Sequence, residues 1–194
     1  MNFLAHIYLS GNSEDLIIGN YIADSVKGKQ FESFQRGIAN GIILHRKIDT
    51  YTDTHPIVDL SKQRLRPLYR KYATVIVDVL YDHYLAANWK NYSDIPLREY
   101  SKNIYTLIKK HEHILPEKSK LFMQYMITND ILHAYRNLNG IEKVLIGMSK
   151  RTSFESNMEL SINEIKEYYF LFQEEFNRFF PDIQKYVAQE IHVS

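Results

Sequence analysis

Residues 74–86 read TVIVDVLYDHYLA. Without its polar residues this stretch is core helix, yet it carries Asp78, Asp82 and His83. Asp78 is flanked by Val75, Ile76, Val77, Val79 and Leu80, and no basic residue stands four positions away to neutralise it. Four-residue spacing places Asp78 and Asp82 on one helix face. A carboxylate buried in such surroundings is costly unless a partner or a cation compensates it. Residues 41–53, GIILHRKIDTYTD, repeat the pattern with His45, Asp49 and Asp53. Several carboxylates with imidazoles alongside, on otherwise apolar helices, point to a metal site and hence an enzyme.

The remainder of the chain is helical in the same way. Gly and Pro are few, seven and five in 194 residues, and strand-like alternation is scarce. Ser13 before Glu14 and Asp15 marks a helix start, with Gly28 as its stop. Further helices are expected over about 33–54, 57–72 with Pro67 as a kink or break, 73–89, 97–111, 117–136 and 141–150. Residues 91–96 read as a loop. The last long helix is expected from about Ser161 to Phe180 on a stripe of Ile162, Ile165, Tyr169, Phe172, Phe176 and Phe179. Pro181 is expected to break it before a short helix to Ile191, with His192 in a frayed end. No repeat or linker interrupts the series, so the economical reading is one all-α helical bundle domain over 1–194.

Composition narrows the function class. Hydrophobic residues make up 45% and charged residues 24%, an ordinary globular balance, and the net charge is +1. No general polyanion partner follows from that charge, and the 15 tyrosines spread along helical faces suit packing better than base stacking. Nucleic acid is therefore not expected as a partner. The absence of cysteine excludes disulfides and Cys-ligated zinc and fits a reducing compartment. MNFLAHIYLSGNSEDL has neither a basic leader nor an unbroken apolar run, and no segment approaches the roughly 20 apolar residues of a membrane helix. The expectation is a cytoplasmic protein with no membrane partner. Its oligomeric state is open.

Each polar cluster also has a plain structural reading. His45, Asp49 and Asp53 would serve equally as a solvated helix end, since Lys47, Thr50 and Thr52 are polar too. Asn20 and Asp24, in LIIGNYIADSVKG (16–28), would serve as a hydrogen-bonded pair closing a helix, and Gly19 lets another backbone approach. His6, in a short apolar stretch, reads by itself as a satisfied core histidine. The basic run Lys62-Gln63-Arg64-Leu65-Arg66, with Arg70 and Lys71, is either a solvated face or a dock for an acidic partner. A Gly-rich phosphate loop, a Gly-x-Ser-x-Gly elbow and an HExxH motif are all absent from the sequence.

Taken in order, MNFLAH (1–6), GNYIADSVKG (19–28), GIILHRKIDTYTD (41–53) and DVLYDHYLA (78–86) followed by Trp89 resemble the bacterial acyl carrier protein phosphodiesterases, with a weaker likeness through GMSKR (147–151) and the aromatic C-terminal helix. The resemblance implies a helical fold related to the HD-domain metal-dependent phosphohydrolases. It implies hydrolysis of the phosphodiester joining 4'-phosphopantetheine to a serine of holo-acyl carrier protein. Manganese is the implied cofactor, with magnesium or another divalent ion as alternatives. The residues it carries over are His6, Asp24, His45, Asp49, Asp53, Asp78, Asp82 and His83. Of these, His6, Asp24, His45, Asp78 and Asp82 are expected as metal ligands. Asp49 is expected in the chemistry, with His83 protonating the leaving serine oxygen and Arg46 beside the phosphoryl oxygens. Because carrier proteins are acidic, Arg64, Arg66 and Arg70 are expected to dock the substrate. The adjacent His-Asp doublet that names the HD superfamily is missing, so its ligand order does not transfer. An HD-type hydrolase of nucleotides or other small phosphoesters is the alternative reading.

Overall fold

The computed structural model describes residues 1–193, with side chains through Ile191, so the reading of His192 lies outside the described side chains. It is all-α among these residues. The order is α1 (Phe3–Leu9), α2 (Glu14–Ile22), α3 (Arg36–Thr54), α4 (Pro56–Tyr69), α5 (Ala73–Ala87), α6 (Leu97–Lys110), α7 (Glu117–Thr128), α8 (Ile131–Ala134), α9 (Leu138–Ser149), α10 (Ile162–Glu167) and α11 (Tyr169–Val193). Short 3-10 turns join several of them, including Ala23–Ser25 after α2 and Arg70–Tyr72 before α5.

Local chemistry accounts for most boundaries. Ser13 caps α2 by accepting from Leu16 N, with Glu14 and Asp15 in the first turn. Pro56 opens α4, and the His55 ring accepts from Ile57 N. Several expectations change: α2 stops at Ile22, before Gly28, and the helix expected from Ser161 to Phe180 divides at Tyr168 into α10 and α11. The segment expected as one helix over 117–136 divides at Asp130, which has φ 45°. Asp130 accepts from Tyr105 Oη (3.1 Å), and that oxygen accepts from Leu132 N (2.9 Å), so Tyr105 staples the break. Pro67 does not end α4, which closes at Tyr69 where Arg70 takes φ 50°. Pro181 does not end α11 either. It lies on the exposed side, while Phe172, Phe176, Phe179, Phe180, Ile183 and Val187 bury the opposite face before and after it. That continuous apolar stripe outweighs the roughly 3 kcal/mol that an internal proline costs.

The apolar faces meet in one contiguous core in which α5 is central: Ile76, Val77, Val79, Leu80, Tyr81, Tyr84 and Leu85 are buried. Two contacts set up the functional end. Helices α2 and α3 cross at Gly19 and Gly41, where a Cβ on Gly19 would sit 2.8 Å from Gly41 Cα and one on Gly41 would sit 2.6 Å from Leu16 O. Such an approach is open only to glycine. It brings Asn20, one residue after Gly19, against His45, one turn after Gly41. The second contact is Asp82, wholly buried, which accepts from Asn2 N (3.3 Å), Leu4 N (2.7 Å) and Ala5 N (3.2 Å) and so holds the first turn of α1 on α5.

Candidate active site

Helix α3 presents His45 and Asp49 one turn apart, α1 presents His6, and the 3-10 turn after α2 presents Asp24. Their side chains converge. His6 Nε2 lies 3.0 Å from Asp49 Oδ1, and His45 Nε2 lies 3.1 Å from Asp49 Oδ2 and 3.3 Å from Asp24 Oδ1. The two imidazoles stack with centroids 4.1 Å apart. A cleft of about 200 Å³ opens over this cluster, walled by Asp24, His45, Asp49, Asp53, Asp78, Val75 and Met148 together with Met1 and Asn2.

Asn20 orients His45. Its Nδ2 donates to His6 O (3.0 Å) and Ser10 Oγ (2.9 Å), and Ser10 Oγ in turn donates to His6 O. A carbonyl can only accept, so the amide oxygen of Asn20 faces His45 Nδ1 (2.8 Å), which therefore carries the proton. His45 Nε2 is left pointing at Asp24 and Asp49. Ligand histidines are held in this way, the second nitrogen fixing the tautomer of the first. Lys62, buried on α4, donates to Asp53 Oδ1 (2.8 Å) and holds that carboxylate at the cleft wall. Both positioning residues escaped sequence reasoning. Asn20 was visible, but its expected partner was Asp24, and the structure gives it His45.

The electrostatics follow from crowding. Burial, reinforced by the neighbouring His45, pulls His6 down to about 4, so it is neutral at physiological pH. Burial also pulls on His45, but the carboxylates of Asp24 and Asp49 outweigh it and lift His45 to about 9. Burial pushes Asp49 upward, yet the two imidazoles hold it far below the usual carboxylate range. Asp24 is lowered by its hydrogen bond to His45. Asp78 is raised by burial even though the Met1 ammonium is 2.9 Å away.

These residues fit a divalent cation. One ligand atom each from His6, His45 and Asp49 lie within 4.8 Å of one another. Both ring nitrogens of His6 are buried without a hydrogen bond, Nε2 being near Asp49 but not aligned for one. An unfilled buried donor atom facing a carboxylate and a second imidazole suits a metal ligand better than a core histidine.

The sequence candidates divide accordingly. His6, Asp24, His45 and Asp49 come together, with Asp53 and Asp78 on the same cleft. Asp82 lies behind the cleft, with both its oxygens engaged by backbone N–H groups of α1; burial raises it to about 7 against their pull. It holds His6 in place from below and does not line the cleft. His83 turns to another face of α5, its Nδ1 against Tyr135 O (2.8 Å) and its Nε2 against Tyr169 Oη (3.0 Å). Adjacent helix positions point about 100° apart, so Asp82 and His83 cannot both face the site. Arg46 donates to Val26 O (2.9 Å) and lies over the Phe31 ring, which pins the segment after Asp24 and keeps the guanidinium off the cleft wall. Of the expected docking residues, Arg64 is spent on buried Glu175 (2.6 Å) and Arg66 on Asp59 (2.7 Å); Arg70 is exposed and has no carboxylate partner among the described residues.

Among the described residues no helix is long and apolar enough to cross a membrane. Compared with known proteins, residues 1–183 match the family model described as acyl carrier protein phosphodiesterase. Proteins named acyl carrier protein phosphodiesterase are similar over nearly the full length. That of Shigella boydii serotype 18 is 33% identical over 99% of this chain and 98% of its own. Those of Enterobacter sp. strain 638 and Photorhabdus laumondii are each 31% identical over 93% of this chain and over 94% and 92% of their own. No solved structure matches the chain.

Proposed function

This chain belongs to the acyl carrier protein phosphodiesterase family, and from that membership we propose that it hydrolyses the phosphodiester between 4'-phosphopantetheine and the serine of holo-acyl carrier protein, leaving the apo-carrier. The observation that carries the reading is the convergence of His6, His45 and Asp49, with one ligand atom from each within 4.8 Å of the others. These three residues would hold the divalent ion, with Asp24 beside them, and the mixed imidazole and carboxylate donors suit manganese, with magnesium as the alternative. A divalent cation bound there supplies Lewis-acid charge for the phosphoryl oxygens and acidifies a water.

The chain's own residues do the remaining work. Asn20 keeps the His45 Nε2 lone pair directed into the cleft. Asp24, the most exposed carboxylate of the cluster, is placed to orient the attacking water and accept its proton. The leaving serine oxygen needs a proton as the P–O bond breaks. Asp78 lies on the cleft, but its carboxylate is paired with the Met1 ammonium (2.9 Å), so the proton would come from water in the open cleft. Asp82 acts at a distance by fixing α1 and therefore His6.

The test is incubation of the purified chain with holo-acyl carrier protein and Mn²⁺, followed by intact mass. Loss of the phosphopantetheine mass from the carrier is expected, and none on omission of the metal. An unchanged carrier mass at saturating metal would overturn the reading.

A further inference from the structure

We propose that the acidic carrier protein docks on a basic rim beside the cleft, formed by Arg70 and Lys71 before α5 and by Lys150 and Arg151 after α9, with Phe154 at its centre. This deepens the function proposed above and rests on it. Val75 and Met148 form one wall of the cleft. Arg70 and Lys71 lie within five residues of Val75, and Lys150 and Arg151 within three of Met148, so two cationic pairs flank that wall from two elements. The chain after α9 folds back to join them. Thr152 Oγ1 lies 2.8 Å from Ser149 O and 2.7 Å from Phe154 O, its one proton serving either carbonyl, and Ser156 Oγ donates to Ser149 Oγ (3.0 Å). This fold-back delivers Phe154 to Lys71, whose Nζ lies 5.2 Å from the ring centroid.

Two properties mark the rim as a partner surface. The first is unspent charge. Six basic side chains elsewhere are answered by carboxylates: Lys47 by Glu190, Lys62 by Asp53, Arg64 by Glu175, Arg66 by Asp59, Lys110 by Glu14 and Lys120 by Glu117. Arg70, Lys71, Lys150 and Arg151 are all exposed, and none forms an ion pair among the described residues. Arg151 donates only Nε, to Gly147 O, leaving its outer nitrogens to solvent. Glu155 is the exposed acid on the same segment. The second property is the aromatic ring: Phe154 is 70% exposed. An exposed aromatic beside unpaired cations suits an acidic protein surface, where the ring anchors and the cations steer.

Geometry selects this rim over the other basic region. A second cleft, lined by Lys90, Arg98, His133 and Arg136, lies at the opposite end of α5. Val75 and Ala87 are 12 residues apart, about 18 Å at 1.5 Å per residue. The scissile bond is on the carrier's own serine, so the carrier surface must lie directly over the metal cleft. The rim adjoins, along the chain, two residues that wall that cleft, and the distant region does not.

The test uses two charge reversals, Arg70→Glu with Lys71→Glu and Lys150→Glu with Arg151→Glu, each against a matched Lys90→Glu with Arg136→Glu control. Steady-state hydrolysis of holo-carrier and of bis(4-nitrophenyl) phosphate is measured at several salt concentrations, with carrier affinity read by titration calorimetry. Each rim variant is expected to raise the carrier KM about tenfold or more, weaken carrier binding equally and flatten the salt dependence. Turnover of the small diester should stay within twofold, and the control should match wild type. Unchanged carrier KM and affinity in both rim variants, equal losses on both substrates, or losses confined to the control would each overturn the docking site. If wild type binds carrier but releases no phosphopantetheine, the functional reading fails, and the affinity comparison alone then supports or overturns the dock.

Discussion

Two polar clusters within this fold are built on different terms. One joins α4, α5 and α11. Glu175, almost fully buried, accepts from Ser61 Oγ (2.6 Å) and from Arg64 Nη1 (2.7 Å), Tyr81 Oη meets Ser61 Oγ (2.9 Å), and the Arg64 guanidinium covers the Phe172 ring. Each hydroxyl there has a partner, and the guanidinium meets a carboxylate. The other cluster, His6, Asp24, His45 and Asp49, leaves the His6 ring without a hydrogen bond, stacks two imidazoles on each other and opens its carboxylates to a cleft. A network that serves the fold closes on itself, because an unpaired buried polar group is costly. A network that serves chemistry leaves coordination free for something the chain does not supply.

This contrast can be broken by mutation. The largest effect is expected from Asp49→Ala, which removes the carboxylate shared by both imidazoles. Turnover of holo-carrier should fall more than about a thousandfold, equivalent to about 4 kcal/mol of transition-state stabilisation. Manganese binding by calorimetry should be lost while the melting temperature of the metal-free protein holds. Retained metal binding would remove Asp49 from the ligand set.

Glu175→Ala should do the reverse. Arg64 loses its buried partner, and because that guanidinium is partly exposed the cost is moderated to about 2–4 kcal/mol of stability in urea titration. Activity at permissive temperature should survive. Loss of activity without loss of stability would erase the distinction between the clusters.

Asn20→Leu sharpens the comparison within the site. His45 loses the acceptor that fixes its tautomer, and metal affinity should weaken about 10–100-fold, with the fold intact. An unchanged affinity would mean that His45 needs no orienting partner.

The smallest effect concerns pH in chelator-treated protein. His45 is raised to about 9 in the fold against about 6.5 unfolded. Its contribution is therefore complete below about pH 6.5 and is lost as pH rises through about 9. Asp49, held low, contributes above its ordinary carboxylate range and loses that contribution as pH falls. The melting temperature should drop by a few degrees from pH 7 to 9.5, and His45→Gln should flatten that slope. Saturating manganese should flatten it too, since the ion takes the place of the Nε2 proton.

Much of the site was legible because helical periodicity is local. His45 and Asp49 share a face by spacing alone, and the bareness of Asp78 among Val75, Ile76, Val77, Val79 and Leu80 announced a polar residue with a task. The glycine at position 19 foretold close helix approach, which the crossing with Gly41 realises. His6 had no such signal, since one histidine in an apolar heptapeptide reads as core. Arg64 and Arg66 misled for the complementary reason. A basic run looks solvated until the acid that claims it, here Glu175 lying 111 positions away, is brought alongside.

The sequence by itself determined the all-α class, the faces of α3 and α5 and the family, because each depends on residues a turn apart or on motif order. Tertiary structure alone decided which carboxylate reaches the cleft and which is spent on the fold. Asp78 and Asp82 are one helical turn apart, yet Asp78 reaches the cleft and Asp82 is consumed by three backbone N–H groups of a helix some 80 residues earlier. It also decided that α11 passes through Pro181, where buried aromatics on the opposite face outweigh one missing hydrogen bond. Spacing along a helix says which way a side chain points; what stands opposite is set by how distant helices pack.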